Sequence, residues 1–389
     1  MPDAPVPDPS TDSDALPADA LPLGDAPAPD LDPDAPDDAD ALDVPDVEGV
    51  VLRSTGSWYE VRLGRLDEPD HEVVKARARG RFRLLQQEIS ETNPIAAGDR
   101  VLLRMDEDGT GLITEIVPRE NQLSRRASGH RAHQEHVIAA NLDRAWCVQS
   151  AFQPKFNPGF VDRVLVMAEF YGVPAGLVIN KADLMEDQPR AQEALGFWKE
   201  LYEELGYRVL FTSAETGQGL DAWKADLAGK LSAVTGPSGV GKSSLLNAVA
   251  PDLDLRTNEV SEKTNKGRHT TTFATVHELP SGGYVVDTPG IREFGLWDME
   301  PHELGGYFPE FRPLLPECRY PTCTHDHEPG CAVWDAVEDG AVTPERYESY
   351  LVMLASVREN RKTVDDARYR KREGRPTPDF DKNVKNDVE

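Results

Sequence analysis

Two patterns of apolar and polar positions follow one another along the chain. Between residues 49 and 118, short apolar runs alternate with polar positions, and glycines separate the runs. This pattern is typical of short β-strands joined by tight turns. The runs lie at 49–52, 58–63, 72–75, 99–104 and 111–117. Strands at this density predict a small β-barrel, for which we expect an OB-fold, although an SH3-like barrel would give much the same pattern.

From residue 137 to residue 297, strand-like runs alternate with helix-like ones. The predicted strands are 145–149, 175–180, 208–212, 232–235, 273–278 and 284–287. The predicted helices are 159–171, 190–205, 220–231 and 242–249. Alternation of this kind predicts an α/β sheet with helices on both faces. The rest of the chain, from residue 298 on, has a mostly helical pattern that ends in a charged tail.

Charge sets the first residues of the chain apart. Residues 1–48 hold 15 Asp or Glu and no Lys or Arg, and Ala and Pro make up most of the rest. Such a segment cannot bury enough apolar surface to offset its ordering entropy, so we predict a disordered acidic tail. Without those 15 acids the formal net charge of −27 becomes −12, so general basicity gives no sign of nucleic-acid binding. We also expect no export signal and no membrane-spanning segment.

A glycine-rich loop is the first candidate for chemistry. The sequence GPSGVGKSS follows a short apolar run and precedes a helix-like one, which is the context of a phosphate-binding P-loop. Glycines let backbone N–H groups face the phosphates, and the helix N-terminus adds a positive dipole end. We expect Lys242 to reach the β- and γ-phosphates and the Ser243 hydroxyl to bind Mg²⁺. The candidate residues are Gly236, Pro237, Ser238, Gly239, Val240, Gly241, Lys242, Ser243 and Ser244.

Two further segments are candidates for binding the γ-phosphate and its Mg²⁺ ion. The sequence DTPG at 287–290 ends an apolar strand, where a carboxylate can hold Mg²⁺ through water and the Gly290 N–H can approach the phosphate. The sequence GRHTTT at 267–272 offers hydroxyl groups in the place of a first switch segment, and we favour Thr271 among them. The candidate Mg²⁺ ligands are therefore Ser243, Thr271 and Asp287.

The sequence NKAD at 180–183 indicates which base is bound. Guanine presents a ring N–H and an exocyclic amine side by side, and the Asp183 carboxylate can accept both, whereas adenine has no such pair. The sequence SAETG at 213–217 follows the next predicted strand and offers a backbone N–H to the guanine carbonyl. The candidate residues are Asn180, Lys181, Asp183, Ser213 and Ala214.

The order of these motifs is unusual. In ordinary GTPases the P-loop comes first and the base-reading motif last, whereas here NKAD lies 56 residues before Gly236 and DTPG follows both. The order predicts a circularly permuted GTPase in which the segment that senses the γ-phosphate leads directly into the C-terminal region. We expect a nucleotide-dependent shift of that segment to move the C-terminal region.

One catalytic position is filled by an unsuitable side chain. Ras-like enzymes orient the attacking water with a Gln just after the DxxG motif, but Ile291 stands there and can neither donate nor accept a hydrogen bond. His269 is the local candidate for orienting water, because a neutral imidazole can accept a proton. A solvent-exposed loop histidine is the alternative interpretation. Lys242, placed at the phosphates, is the second catalytic candidate.

Three of the four cysteines lie close together beside histidines, and this spacing indicates a metal site. The candidate ligands are Cys318, Cys323, His325 and Cys331. Three thiolates and one imidazole suit tetrahedral Zn²⁺, and because the protein supplies all four ligands we expect one structural zinc ion. His327 could replace His325, and His302 is a more distant option.

Three basic regions interrupt the acidic chain, and they are our candidates for RNA contact. Strand alternation would place the first three cationic residues on one face of the barrel. The candidates are Lys75, Arg77, Arg79, Arg125, Arg126, Arg361 and Lys362.

Taken together, these motifs resemble a known family over residues 49–360. The matching sequences are NQLSRR at 121–126, NKAD, GPSGVGKSS, GRHTTT, DTPGIREFG at 287–295 and the C-x₄-C-x-H-x₅-C cluster. With the order of barrel, permuted GTPase and zinc domain, they resemble the family of ribosome small-subunit-dependent GTPase A. The acidic tail is a departure from that family.

The resemblance implies a cytoplasmic GTPase that binds the small ribosomal subunit and its rRNA late in maturation and hydrolyses GTP faster when bound there. It also implies a hydrophobic residue at the position of Ile291 and a histidine at that of His269. We expect a monomer with no membrane attachment. The predicted regions are a tail at 1–48, a barrel at 49–118, a basic linker at 119–136, a GTPase domain at 137–297, a zinc domain at 298–360 and a charged tail at 361–389.

Other functions fit parts of the same pattern. A GTP-gated RNA-binding module with incidental hydrolysis is the main alternative, because Ile291 leaves the water without an obvious partner. A nucleotide-sensing regulator of another RNA–protein complex is a third possibility. An ATPase is disfavoured, because Asp183 matches guanine.

Overall fold

The fold is that of a computed structural model of the chain. The structure describes residues 46–55, 58–68, 72–78, 95–126, 135–253, 274–287 and 299–372. Of these, the side chains of residues 125, 126, 135, 252, 287 and 362–372 lie outside the description.

The first five strands close into a barrel. They are β1 Val47–Ser54, β2 Tyr59–Leu63, β3 Val73–Ala78, β4 Arg100–Met105 and β5 Gly111–Ile116. They pair in the order β1-β2-β3-β5-β4, and β4 returns to β1, with β3 and β5 parallel and the other pairs antiparallel. Buried and exposed residues alternate along β3, so that Val74 and Ala76 enter the barrel core. This closed barrel confirms the OB-fold prediction.

A two-stranded hairpin follows the barrel. It pairs β6 Gln122–Arg126 with β7 Glu135–Ala140 in antiparallel register. All of β6 and the first two residues of β7 fall within the segment 119–136, which the sequence predicts as a basic linker. Leu123 and Ala139 are buried in one hydrophobic cluster with Ala145 and Leu231. This packing holds the hairpin against the α/β sheet described next.

Six strands form the α/β sheet. They are β8 Arg144–Ser150, β9 Ala175–Asn180, β10 Arg208–Phe211, β11 Leu231–Thr235, β12 Thr275–Glu278 and β13 Tyr284–Asp287. The order is β10-β9-β8-β11-β13-β12, and only β12 runs antiparallel to its neighbour in this group. Every residue of β11 is buried, as expected for a parallel strand covered on both faces.

Helices cover both faces of this sheet, as predicted. They are α1 Pro158–Phe170, α2 Pro189–Glu204, α3 Leu220–Leu227 and α4 Lys242–Val249. Helices α1 and α2 share one core with Cys147 and Leu177, while α3 and α4 pack against Trp146 and Val178 on the opposite face. The helix predicted at 220–231 ends earlier, at Leu227, because Gly229 adopts a left-handed conformation with φ of 66°.

The C-terminal region packs onto the α1 face of the sheet. It contains α5 Ala332–Glu338, α6 Pro344–Arg372 and the 3₁₀ turns Leu304–Tyr307 and Leu315–Glu317. Phe308, Phe311 and Tyr350 are fully buried and lie in the same hydrophobic cluster as residues of α1. Among the helices that the structure describes, none is both long and apolar enough to cross a bilayer.

The barrel and the α/β sheet are joined through an edge strand. Arg53 of β1 pairs with Thr275 of β12, which makes the barrel and the sheet continuous. The buried Arg62 guanidinium lies over the ring of Tyr284 on β13, 5.9 Å from its centroid. The barrel therefore contacts both of the strands that flank the predicted γ-phosphate segments.

Candidate functional site

The P-loop lies where strand–loop–helix reasoning places it. The buried strand β11 ends at Thr235, and α4 begins at Lys242, so the loop spans the carboxyl edge of the sheet. The Lys242 Nζ donates to the backbone carbonyls of Gly236 and Pro237, each at 2.8 Å. The ammonium group therefore points into the concave side of the loop, where a nucleotide phosphate would replace these carbonyls as its partner.

The NKAD motif is in direct contact with that loop. Asn180 ends β9 and is buried, and its side-chain Nδ2 donates to the Val240 carbonyl at 2.9 Å. Gly241 has φ of 93°, and a Cβ placed on it would lie 2.4 Å from the same Nδ2. The close packing of the two motifs thus requires glycine at this position.

The same asparagine also holds the SAETG turn. The backbone N–H of Ala214 and the Thr212 hydroxyl both donate to Asn180 Oδ1, at 3.3 and 3.4 Å. Ser213 is fully buried, and its hydroxyl accepts the Thr216 N–H at 3.1 Å, which shapes the turn. The structure therefore brings NKAD, SAETG and the P-loop together around one side chain, although they are separated in the sequence.

The residues expected at the base take positions beside Asn180. Lys181 adopts a left-handed conformation with φ of 61°, which turns its side chain towards the P-loop. Its Nζ donates to the Gly239 carbonyl at 2.8 Å. Asp183 lies in the 3₁₀ turn Ala182–Met185 and is half-buried.

Most of the γ-phosphate candidates lie outside the described residues. These are His269, Thr271, Gly290 and Ile291. For Asp287 the backbone is described, and its position in β13 pairs with Val234 of β11. The end of β13 therefore lies one strand away from the start of the P-loop.

The four predicted metal ligands converge on one point. Their ligand atoms all lie within 4.8 Å of one another, and His325 Nδ1 lies 3.6 Å from Cys318 Sγ and 3.4 Å from Cys331 Sγ. Roughly tetrahedral bonds of about 2.0–2.3 Å to zinc would put ligand atoms at comparable separations. The set of three sulfurs and one imidazole nitrogen therefore fits a single Zn²⁺ ion. The alternative ligand His327 is not part of this cluster, and its Nδ1 lies 3.4 Å from Oδ2 of Asp326.

Burial sets the protonation of these ligands in the metal-free protein. It lowers the pKa of His325, which favours the neutral imidazole that metals bind. It raises the pKa of Cys323 to about 12 and also raises that of Cys331. A bound cation would reverse the penalty on the thiolates, because it supplies the missing positive charge.

The metal loop is held by hydrogen bonds to its backbone. Tyr347 donates to the His325 carbonyl at 2.7 Å, and Tyr350 donates to the Thr324 carbonyl at 2.6 Å, both from α6. Glu328 accepts from the Thr324 hydroxyl at 2.6 Å and its N–H at 2.8 Å. Burial opposes the charged form of Glu328, but these bonds outweigh it and lower its pKa to about 2.

Comparisons with known proteins agree with this geometry. The family model of the RsgA N-terminal domain matches residues 48–113, and that of the RsgA GTPase matches residues 116–297. The small ribosomal subunit biogenesis GTPase RsgA 2 of Bacteroides thetaiotaomicron is 44% identical over 316 residues, which cover 81% of this chain and 98% of the relative. The chain belongs to the RsgA family. It is therefore a guanine-nucleotide-binding enzyme that hydrolyses GTP.

Other RsgA relatives support the same assignment. The small ribosomal subunit biogenesis GTPase RsgA of Gemmatimonas aurantiaca is 47% identical over 305 residues, covering 78% of this chain and 95% of the relative. The crystal structure of YjeQ from Thermotoga maritima superposes with a TM-score of 0.65 at 36% identity, covering 80% of this chain and 98% of that one. The structure of YloQ, described as a circularly permuted GTPase, superposes with a TM-score of 0.62 at 31% sequence identity. The match covers 81% of this chain and 96% of that one.

The basic candidates of this RsgA-family chain differ in their surroundings. Lys75 and Arg77 are exposed on β3, and Arg77 lies 3.5 Å from Asp106. Arg361 pairs with Glu300 at 2.6 Å. Arg79 and the side chains of Arg125, Arg126 and Lys362 lie outside the description.

One buried cluster in this RsgA-family chain was not foreseen from the sequence. Arg346 of α6 is 1% exposed and contacts Asp162 of α1 at 2.5 Å and Glu310 at 2.7 Å. Tyr202 of α2 also donates to Asp162, at 2.8 Å. Burial works against the Arg346 charge, but the two carboxylates raise its pKa, so the guanidinium stays charged. No local motif signals this contact, because 184 positions separate its partners.

Proposed function

We propose that this chain hydrolyses GTP in the biogenesis of the small ribosomal subunit. The observation that carries the proposal is the position of Asn180, which joins the base-reading motif to the P-loop through Val240 and to the SAETG turn through Ala214. The names of the relatives support the ribosomal role.

For the nucleotide, we assign guanine recognition to Asp183 and to the N–H of Ala214, which would exchange Asn180 Oδ1 for the guanine carbonyl when the base binds. The half-buried Asp183 carboxylate would accept both the ring N–H and the exocyclic amine of guanine. The Lys181 stem would cover one face of the base. The P-loop residues 236–244 would hold the phosphates through their N–H groups, with Lys242 at the β- and γ-phosphates.

For hydrolysis, we assign Mg²⁺ binding to Ser243, Thr271 and Asp287, and a γ-phosphate contact to the Gly290 N–H. When bound, the metal ion would neutralise charge that develops between the β- and γ-phosphates. His269 would orient the attacking water, because Ile291 at the usual glutamine position cannot.

For the domains, we propose a barrel at 49–118, a GTPase domain at 137–297 and a zinc domain at 298–360. Cys318, Cys323, His325 and Cys331 would hold one structural zinc ion.

For the partners, the exposed Lys75 and Arg77 on the barrel, with the other basic candidates, would contact rRNA in the cytoplasm. We propose that the chain acts as a monomer and engages the subunit late in maturation.

The deciding experiment measures phosphate release from GTP with purified small ribosomal subunits, with large subunits, and alone. We expect strong stimulation by small subunits only, because the ribosome would complete the site at Ile291. Equal rates in all three conditions would contradict the proposal and favour a GTP-gated RNA-binding module.

A further inference from the structure

The ammonium group of Lys181 contacts a loop outside the known nucleotide motifs. Besides the Gly239 carbonyl, its Nζ donates to the backbone carbonyl of Gln153 at 2.5 Å. Gln153 belongs to residues 151–157, which connect β8 to α1 and which we call the β8–α1 loop. One cation thus bridges this loop and the P-loop.

The β8–α1 loop also lies against the P-loop. A Cβ placed on Gly239 would lie 3.7 Å from Cδ of Pro154, which is ordinary van der Waals contact. Gln153 has φ of 49°, a left-handed conformation that is uncommon for a residue with a side chain. This conformation directs its carbonyl towards Lys181, while its own side chain is exposed.

Both ends of the loop are fixed. The Ala151 N–H donates to the Asn180 carbonyl at 2.8 Å, and the Ser150 hydroxyl bonds the Phe152 carbonyl. At the far end, the Asn157 side chain accepts the Phe160 N–H at 3.1 Å and caps α1. Phe156 is buried beside Trp198, with 6.2 Å between ring centroids. The Gln153 carbonyl therefore belongs to a segment that is held in place at both ends.

We propose that the β8–α1 loop is part of the nucleotide site: the Gln153 carbonyl positions the Lys181 ammonium over the P-loop and thereby slows the release of guanine nucleotide. The inference rests on the assignment of Lys181 to the nucleotide site made above. With only the Gly239 carbonyl left, the lysine side chain would regain rotamers that uncover the base. Loss of one hydrogen bond to a charged group corresponds to roughly a 10- to 100-fold change in an equilibrium constant, and the partly exposed Lys181 should lie at the low end of that range.

The test changes the backbone of Gln153 rather than its exposed side chain. Valine is β-branched and resists the left-handed conformation, so Gln153→Val should turn the carbonyl away. Glycine adopts that conformation freely, so Gln153→Gly is the rescue variant. We expect a fluorescent GDP analogue to leave the full-length Gln153→Val protein about tenfold faster, with Gln153→Gly within about twofold of the wild type. KM for GTP should rise in Gln153→Val, while kcat changes by less than about twofold.

A double-mutant cycle with Lys181→Met separates positioning from general loosening of the loop. Gln153→Val should add nothing to the release rate once Lys181 is gone. An equal acceleration in both backgrounds, or a wild-type rate in Gln153→Val, would overturn the proposal. Thermal unfolding checks each fold, and if Gln153→Val does not fold, Ser150→Ala enters the same cycle with an expected increase of roughly threefold. If the assignment of Lys181 to the nucleotide site were wrong, a different result would show it: the wild-type protein would bind GDP no more tightly than ADP.

Discussion

At Gly241, the lack of a side chain lets two motifs meet. A Cβ there would lie 2.4 Å from the amide nitrogen of Asn180, the group that donates to the Val240 carbonyl. Atoms cannot approach that closely, so any larger residue must push Asn180 away from the P-loop. Because Asn180 Oδ1 also accepts the Ala214 N–H, the displacement would spread to the SAETG turn.

We therefore expect Gly241→Ala to weaken GDP binding by at least about tenfold, since it disturbs two hydrogen bonds made by the buried Asn180. Gly206→Ala is the matched control, because Gly206 has a similar φ of 91° and nothing within 4 Å of its added Cβ. Both changes carry the strain of a left-handed alanine, on the order of 1 kcal/mol. Titration with a fluorescent GDP analogue should show normal affinity in the control, and equal losses in both proteins would refute the contact argument.

Replacing Asp183 with Asn tests the base assignment. Asparagine offers an amide N–H where the carboxylate only accepts, so it mismatches the guanine amine and matches the carbonyl that xanthine carries at the same ring position. We expect the preference for GDP over XDP to fall by at least about 100-fold, given how strongly unpaired buried polar groups are penalised. Competition of GDP, XDP and ADP against labelled GDP measures the relative affinities of the variant for the three nucleotides. If these affinities keep the order found in the wild type, Asp183 does not read the base.

Among the elements, the metal loop is the one most dependent on outside support. Residues 318–331 contain little regular structure, and α6 holds their backbone through Tyr347 and Tyr350. Cys331 also caps α5, because its Sγ accepts the Trp334 N–H at 3.5 Å. A proposed zinc ligand and a helix cap thus coincide in one residue.

Cys331→Ser should lower the zinc content from one ion per chain to well below one, because a hydroxyl is a poor substitute for a thiolate ligand. It should also lower the melting temperature, since structural zinc contributes folding free energy. Cys147→Ala, at the buried cysteine outside the cluster, should keep one zinc ion. Metal analysis of both purified proteins decides the matter, and full zinc in Cys331→Ser would exclude the cysteine as a ligand.

Elements with a strong local pattern could be predicted from the sequence, and those set by distant contacts could not. The buried run that ends at Asn180 and the glycines around Lys242 identified β9 and the P-loop almost to the residue. The hairpin β6–β7 was missed, because β6 contains one apolar residue, Leu123, and the strand is stabilised by pairing with β7. The run before Leu231 reads as helix up to that residue, although Leu231 already belongs to β11.

Across the whole molecule, the GTPase sheet is held from two sides. The barrel joins it at β12 through Arg53 and Thr275, beside the strand that leads to DTPG. On the other side, the C-terminal region is fixed to α1, whose N-terminal cap is the last residue of the β8–α1 loop. The buried pair Arg346–Asp162 and the more exposed pair Arg312–Glu169 make this second attachment.

These two pairs form a matched test of what anchors the C-terminal region. Both join an arginine of that region to a carboxylate of α1 at 2.5 Å, but the Arg346 side chain is 1% exposed and the Arg312 side chain 47%. Arg346→Met leaves Asp162 and Glu310 buried without their cation, which should cost about 3–5 kcal/mol of unfolding free energy. Arg312→Met should cost about 0–1 kcal/mol, because water screens the exposed pair.

Urea denaturation of both variants, with zinc content as a check on the metal loop, measures the difference. A smaller cost for Arg346→Met than for Arg312→Met would mean that the surrounding apolar contacts of Phe308 and Tyr350 carry the attachment instead. The larger cost would show that one buried guanidinium joins α6 to the helix that the β8–α1 loop caps. In that case, the same variant should also speed the release of GDP, because loosening α1 would loosen the loop that positions Lys181.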